Sequence, residues 1–138
     1  MKKKDKTEEL ITLINKQISW LDDNIHSQDI VSTGKVLDKL SILSEGFGEV
    51  VTTAYGLMNE LEDDYKHSVA EFRHKSTAGV GKSEIEAEVK FAEKKRDWTQ
   101  AKNLYKKLSM KLDRIDKILE SHRQSISVLV KTGVKNMV

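Results

Sequence analysis

The 138-residue chain contains no cysteine and no proline. Without cysteine there is no disulfide, no thiolate metal site and no cysteine nucleophile. Without proline, nothing in the chain forces a helix to stop, so long uninterrupted helices are permitted. No apolar run approaches the roughly 18 residues needed to cross a bilayer. A dominant charge is missing too: 24 basic and 22 acidic side chains leave +2. That balance excludes a uniformly basic nucleic-acid coat but leaves room for a local basic face. With 38% hydrophobic and 33% charged residues, the chain is wetter than an average globular protein. Its length favours one domain or one elongated helical unit.

The N-terminus, Met1-Lys2-Lys3-Lys4, has the charge of a signal-peptide start. Asp5, Lys6, Thr7, Glu8 and Glu9 follow in place of an apolar segment, so a cytoplasmic protein is expected rather than a secreted one.

Hydrophobic spacing predicts an all-α fold. A first helix over about 5–25 carries Leu10, Leu13 or Ile14, Ile18, Leu21 and Ile25 at steps of three and four, the period of one helix face. Asp5 with Glu8 has the form of a capping box. A second, shorter helix is expected over 29–43, weakened by Gly34. Ser44-Glu45-Gly46-Phe47-Gly48 reads as a break. A third helix then runs to Lys75 with the seam Val51, Ala54, Met58, Leu61, Tyr65, Ser68 and Phe72, a heptad pattern suited to helix-on-helix packing.

Ser76-Thr77-Ala78-Gly79-Val80-Gly81 reads as a loop. Ser83 and Glu86 then form an S-x-x-E capping box. The last helix is expected to reach Lys131, with Ala101, Tyr105, Leu108, Leu112, Ile115, Leu119, His122, Ile126 and Leu129 on its seam. Upstream, Ile85, Val89 and Ala92 lie in another register, so a stutter or bend is expected near 94–98. The tail from Thr132 reads as frayed, with Val134, Met137 and Val138 available to pack on a neighbour.

A helix of about 48 residues would span about 72 Å, twice the roughly 37 Å diameter of a compact chain of this length. The expected fold is therefore an elongated antiparallel hairpin that self-associates. Residues 1–48 form its N-terminal segment of two helices. Residues 49–138 form the hairpin, with a loop at 76–82 and a long C-terminal helix.

Charge is uneven along the chain. Residues 1–63 carry 7 basic and 12 acidic groups, whereas residues 98–138 carry 9 and 3. The acidic half can neutralise the basic half, or the basic half can track a polyanion. Lys102, Lys106, Lys107, Lys111, Arg114 and Lys117 make one stripe. A second basic cluster is expected at the hairpin tip, where Lys66, Arg73, His74, Lys75, Lys82, Lys94, Lys95 and Arg96 surround Tyr65, Phe72, Phe91 and Trp98. Rings among cations suit single-stranded nucleic acid, since bases stack and phosphates pair. The bland alternative seats those rings in the seam. Between tip and stripe the tip is preferred, because Asp113, Asp116 and Glu120 interrupt the stripe and oppose a polyanion.

Catalytic patterns are incomplete. Val80-Gly81-Lys82-Ser83 matches the end of a P-loop, but Ser76 stands where its first glycine belongs and no buried strand precedes it. Asp64-x-x-His67 and Glu71-x-x-His74 resemble the carboxylate–histidine pairs of di-iron bundles, yet both fall on one helix where two are needed. His122 reads as a seam histidine. No enzyme, metal or cofactor is expected.

Lys66 to Lys131 resembles the phage recombination-mediator family of UvsY-like proteins. The resemblance consists of a helix ending in basic and aromatic residues, a glycine-bearing loop, Lys82-Ser83-Glu84-Ile85 opening a long helix, and Ser121 to Arg123 near its end. His122 between Ser121 and Arg123, and a loop without acidic residues, depart from it. The resemblance implies a non-enzymatic, ring-forming, single-stranded DNA-binding mediator. Such a protein helps to load a RecA-like recombinase onto strands covered by single-strand-binding protein, in the host cytoplasm. Carried across, Lys66, Arg73 and Lys75 would contact DNA, with Lys82 and Arg123 as further candidates. The alternative is a helical scaffold or inhibitor that binds another protein through coiled-coil-like surfaces.

Overall fold

A computed structural model gives an all-α protein of four helices: α1 (Lys2–Asp23), α2 (Ile30–Lys75), α3 (Val80–Lys90) and α4 (Ala92–Met137). The structure describes the backbone of residues 2–24, 29–76 and 79–137, and the side chains of 6–24, 29–76 and 81–132. The chain forms two compact units. Unit 1 comprises 1–50 with 110–138, and unit 2 comprises 51–109. This grouping differs from the 1–48 and 49–138 segments read from the sequence.

In unit 1, α1, the first part of α2 and the last part of α4 surround one core. Ile14 and Leu21 come from α1, Leu37, Leu40 and Phe47 from α2, and Ile115 and Leu119 from α4, all buried. Ile14, not Leu13, takes the inward position; Leu13 stays 42% exposed. Gly46 of α2 faces Leu10 of α1, whose methyls stand 3.9 Å from where a glycine Cβ would be. At the other end Ile30 and Thr33 of α2 line a cavity of about 40 Å³ with Leu21 and Asn24. α1 and α2 are thus antiparallel. Ser44, buried in this packing, donates its hydroxyl to Asp116 Oδ1 at 3.0 Å, which satisfies a polar group that burial would otherwise penalise.

The expected break at 44–48 is absent, because α2 runs through it. The reason lies in the spacing of its buried positions. Leu37, Leu40, Ser44, Phe47, Val51 and Ala54 recur at three and four residues without interruption. Burying a side chain such as Phe47 contributes about 1.5–3 kcal/mol, which outweighs the roughly 1 kcal/mol that each of Gly46 and Gly48 costs in a helix.

Helix starts also differ from expectation. α1 begins at Lys2, so Asp5 lies inside it; Ile25 lies outside the described residues. α2 begins beside Asp29, a true N-cap. Asp29 Oδ1 accepts the Ser32 backbone N–H at 3.1 Å and Oδ2 accepts the Ser32 hydroxyl at 2.7 Å. At the far end, α4 continues past Lys131 to Met137. Gly133 costs a helix only about 1 kcal/mol, far less than proline would. The side chains of Val134, Met137 and Val138 lie outside the described residues.

Unit 2 is an antiparallel helical hairpin made of the rest of α2, α3 and the start of α4. Tyr55 meets Tyr105, Tyr65 meets Trp98, and Phe72 meets Phe91. The index rises on one strand of the hairpin as it falls on the other, which fixes the antiparallel direction. The return limb is interrupted at one residue, Phe91, earlier than the stutter expected at 94–98. The i→i−4 bonds survive there. Phe91 donates to Ala87 at 2.9 Å, and Lys95 donates to Phe91 at 3.0 Å.

Candidate nucleic-acid interface

The hairpin tip is tighter than the sequence suggested. Val80, Gly81 and Lys82, expected in the loop, are the first residues of α3. Gly79 is the N-cap, in extended conformation, and caps without a side chain. Ser83 is therefore not the cap. It sits in the first turn of α3 with its backbone N–H bonded to the Gly79 carbonyl at 2.9 Å, and it is only 4% exposed. A P-loop would turn that hydroxyl toward a bound phosphate and its metal; here it is packed inward.

α3 also presents the opposite face from the one its sequence favours. Ser83 and Ala87 are buried, while Ile85 and Val89 are 65% and 74% exposed. Rings fix this orientation. Phe91 lies edge-on to Phe72, with centroids 6.0 Å apart, and the Lys90 ammonium stands 4.9 Å from the Phe72 centroid. With those contacts made, only small side chains face the hairpin.

The aromatic side chains at the tip pair with each other. Tyr65 stacks on Trp98 at 5.8 Å, and all four rings of the two tip pairs are half-buried. They occupy the seam, which is the bland alternative of the sequence reading. Lys66 lies 5.9 Å from the Trp98 ring centroid. The indole Nε1 of Trp98 is enclosed and has no hydrogen-bond partner among the described residues.

The predicted binding residues divide into two groups. Lys66, Arg73, His74, Lys75 and Lys82 all belong to unit 2, whereas Arg123 belongs to unit 1. In unit 2 three of these five residues are already matched by acids. Lys66 pairs with Glu62 at 2.6 Å, Arg73 with Glu84 at 3.1 Å and Lys75 with Glu71 at 3.0 Å. The hydrogen bond to Glu62 raises the Lys66 pKa above its ordinary value. The hydrogen bond from Lys75 lowers that of Glu71, and the Lys75 charge adds to the effect. Lys94 is matched too, by Asp64 at 3.1 Å. His74 and Lys82 are exposed and have no acidic partner among the described residues. Arg123 is exposed on α4 beside Asp116 and Glu120, along a shallow groove of about 430 Å³.

The carboxylate–histidine pairs are likewise committed elsewhere. Asp64 faces Lys94, and Glu71 lies between Lys75 and His67, the latter at 3.8 Å. His122 is half-buried and lines the small cavity of unit 1 with Leu21 and Ile30.

Sequence reasoning split one group that the structure joins. On α4, Lys95, Arg96, Lys102, Lys106 and Lys107 are exposed and make no ion pair among the described residues. The signal was present as charge, but two of these residues had been grouped with the tip and three with the stripe. Comparison with protein-family models, curated proteins and solved structures finds no match to this chain.

Proposed function

We propose that this protein acts without catalysis, by binding single-stranded DNA as a recombination mediator that helps to load a RecA-like recombinase. The supporting observation is the surface of unit 2. It joins cations from α2, α3 and α4 on one hairpin, and several of them, Lys82 among them, have no acidic partner among the described residues. A phosphate backbone supplies the charge those groups lack. The preference for single strands and the recombinase and single-strand-binding protein as partners rest on the UvsY-like resemblance. The test is a titration of a fluorescent oligonucleotide at rising salt. Saturable binding should weaken steeply, with a slope of about −0.7 for each phosphate neutralised on a single strand. No saturable binding at moderate salt would refute the reading.

A second reading, a helical protein that binds another protein, is favoured by a different observation. Ile85 and Val89 face solvent on α3 while Ser83 and Ala87 face inward. Exposed aliphatic pairs of this kind suit helix docking, including self-association. Light scattering across a concentration series tests that part; a monomer at every concentration would remove self-association from the account.

A further inference from the structure

We infer that the nucleic-acid track lies along the outward face of α4 over residues 95–107, rather than at the hairpin tip. This rests on the nucleic-acid reading above and locates its site. At 3.6 residues per turn, Lys95, Lys102 and Lys106 fall within about 40° of one another around α4, with Arg96 and Lys107 about 100° further round. All five are exposed. The seam residues Trp98, Ala101, Tyr105 and Leu108 centre about 100° from Lys95, Lys102 and Lys106, on the side away from Arg96 and Lys107, and they are buried or half-buried. Asp97 is the one acid in this stretch, and its register puts it beside the seam. The arc that carries the five cations therefore holds no carboxylate. Thr99 and Asn103, both exposed, lie between them.

At the tip Lys82 has no acidic partner among the described residues, but most of the cations there are matched. Lys66, Arg73, Lys75 and Lys94 each lie within ion-pair distance of a carboxylate. A phosphate that approached Arg73 would have to displace Glu84 and would leave that carboxylate facing a polyanion. A phosphate that approached Lys102 or Lys106 displaces only water and counterions. Release of counterions is what drives binding to nucleic-acid backbones. From Lys95 to Lys107 the arc is about 18 Å long, enough for several successive phosphates. Lys111 does not extend the arc, because its ammonium is bonded to Asn15 Oδ1 at 3.0 Å. Asp113 follows next on the same line.

Three variants of the full-length chain separate the possibilities, each measured by anisotropy of a fluorescent oligo-dT at several salt concentrations. Lys95→Gln with Lys102→Gln and Lys106→Gln should weaken binding about tenfold or more and flatten the salt slope by about two, roughly 0.7 for each lost contact. Arg73→Gln with Lys75→Gln should do less on both counts. Lys6→Gln with Lys16→Gln and Lys39→Gln, three exposed lysines of unit 1, is the control for net charge alone. Circular dichroism checks that each variant keeps its helix content, and glutamine is a good helix former at all these sites. If the Arg73/Lys75 pair weakens binding as much as the arc variant or more, the track is at the tip and the inference is wrong. If the charge-matched control equals the arc variant, net charge and not the arc carries binding, and the inference is equally wrong. If the unaltered protein shows no saturable binding at moderate salt, the nucleic-acid reading itself falls and takes the track with it.

Discussion

The two units are held together by different chemistry. The large buried side chains Ile14, Leu21, Leu40, Phe47 and Ile115 all lie in unit 1. The buried residues of unit 2 are mostly small, namely Ala54, Ser83, Ala87 and Ala101, with Val51 and Leu108. In their place unit 2 has aromatic pairs and exposed ion pairs, such as Tyr65 with Trp98 and Arg73 with Glu84. Aliphatic burial is stabilising under most solution conditions. Exposed ion pairs add little and are screened by salt. Unit 1 is therefore the stable part, and unit 2 invests its residues in its surface. That division suits a protein whose partner is bound by unit 2.

The largest test of the contrast is Phe47→Ala. Removing a fully buried ring should cost about 3–5 kcal/mol, read as a lower denaturant midpoint. A loss below 1 kcal/mol would mean that unit 1 is not the anchor described here. Next in size is Gly48→Ala. Gly48 is helical and nothing lies within 4 Å of where its Cβ would be, so alanine should stabilise α2 by about 1 kcal/mol. Destabilisation would show that the helix needs a weak point there.

The smallest effect is on pH dependence, and for the acids its sign is the same in both units. Hydrogen bonds from Ser32, its side chain first, hold the Asp29 carboxyl below its ordinary 3.8. The Lys75 hydrogen bond holds Glu71 below its ordinary 4.5. A depressed carboxyl contributes stability above its unfolded value and loses it as pH falls through its folded value. Melting measured from pH 5 downward should show the loss beginning near those ordinary values. The raised Lys66 works in the other direction: its contribution is present below 10.5 and is lost as pH rises past its folded value. Carboxyl titration by NMR checks each acid directly, and a normal titration of Asp29 would contradict its capping role.

Much of the fold was legible because packing leaves periodic traces. Val51 to Phe72 and Ala101 to Leu129 were read as seams, and these positions are buried or half-buried except Leu129, which is 37% exposed. The break assigned at 44–48 was a misreading of local composition. Gly46 and Gly48 suggested a turn, but Leu37, Leu40, Phe47 and Val51 already carried the longer period through it. Ser83 with Glu86 matched a capping box, yet Gly79 starts the helix earlier and draws Ser83 into the packed face. Ile85 and Val89 were placed on the apolar pattern of the last helix, in a register of their own. Their exposure follows from contacts between Phe72, Lys90 and Phe91 that no local pattern reports.

The candidate site was legible in part for a similar reason. Glu62 with Lys66 and Glu71 with Lys75 are four residues apart on one helix, a spacing at which opposite charges meet, so those pairs could have been read. Arg73 with Glu84 and Lys94 with Asp64 join different limbs of the hairpin. Only the folded register brings them together, and that register determines which cations remain free.

The division of labour between the units is tested most directly by hydrogen exchange of the full chain with and without a saturating oligo-dT. Free, the helical amides of 58–75 and 80–98 should exchange faster than those of 37–47 and 115–119, since local opening costs less where few large side chains are buried. On binding, exchange should slow over 95–107 and stay unchanged over 37–47. Slowing confined to unit 1, or to 66–82 alone, would contradict the account.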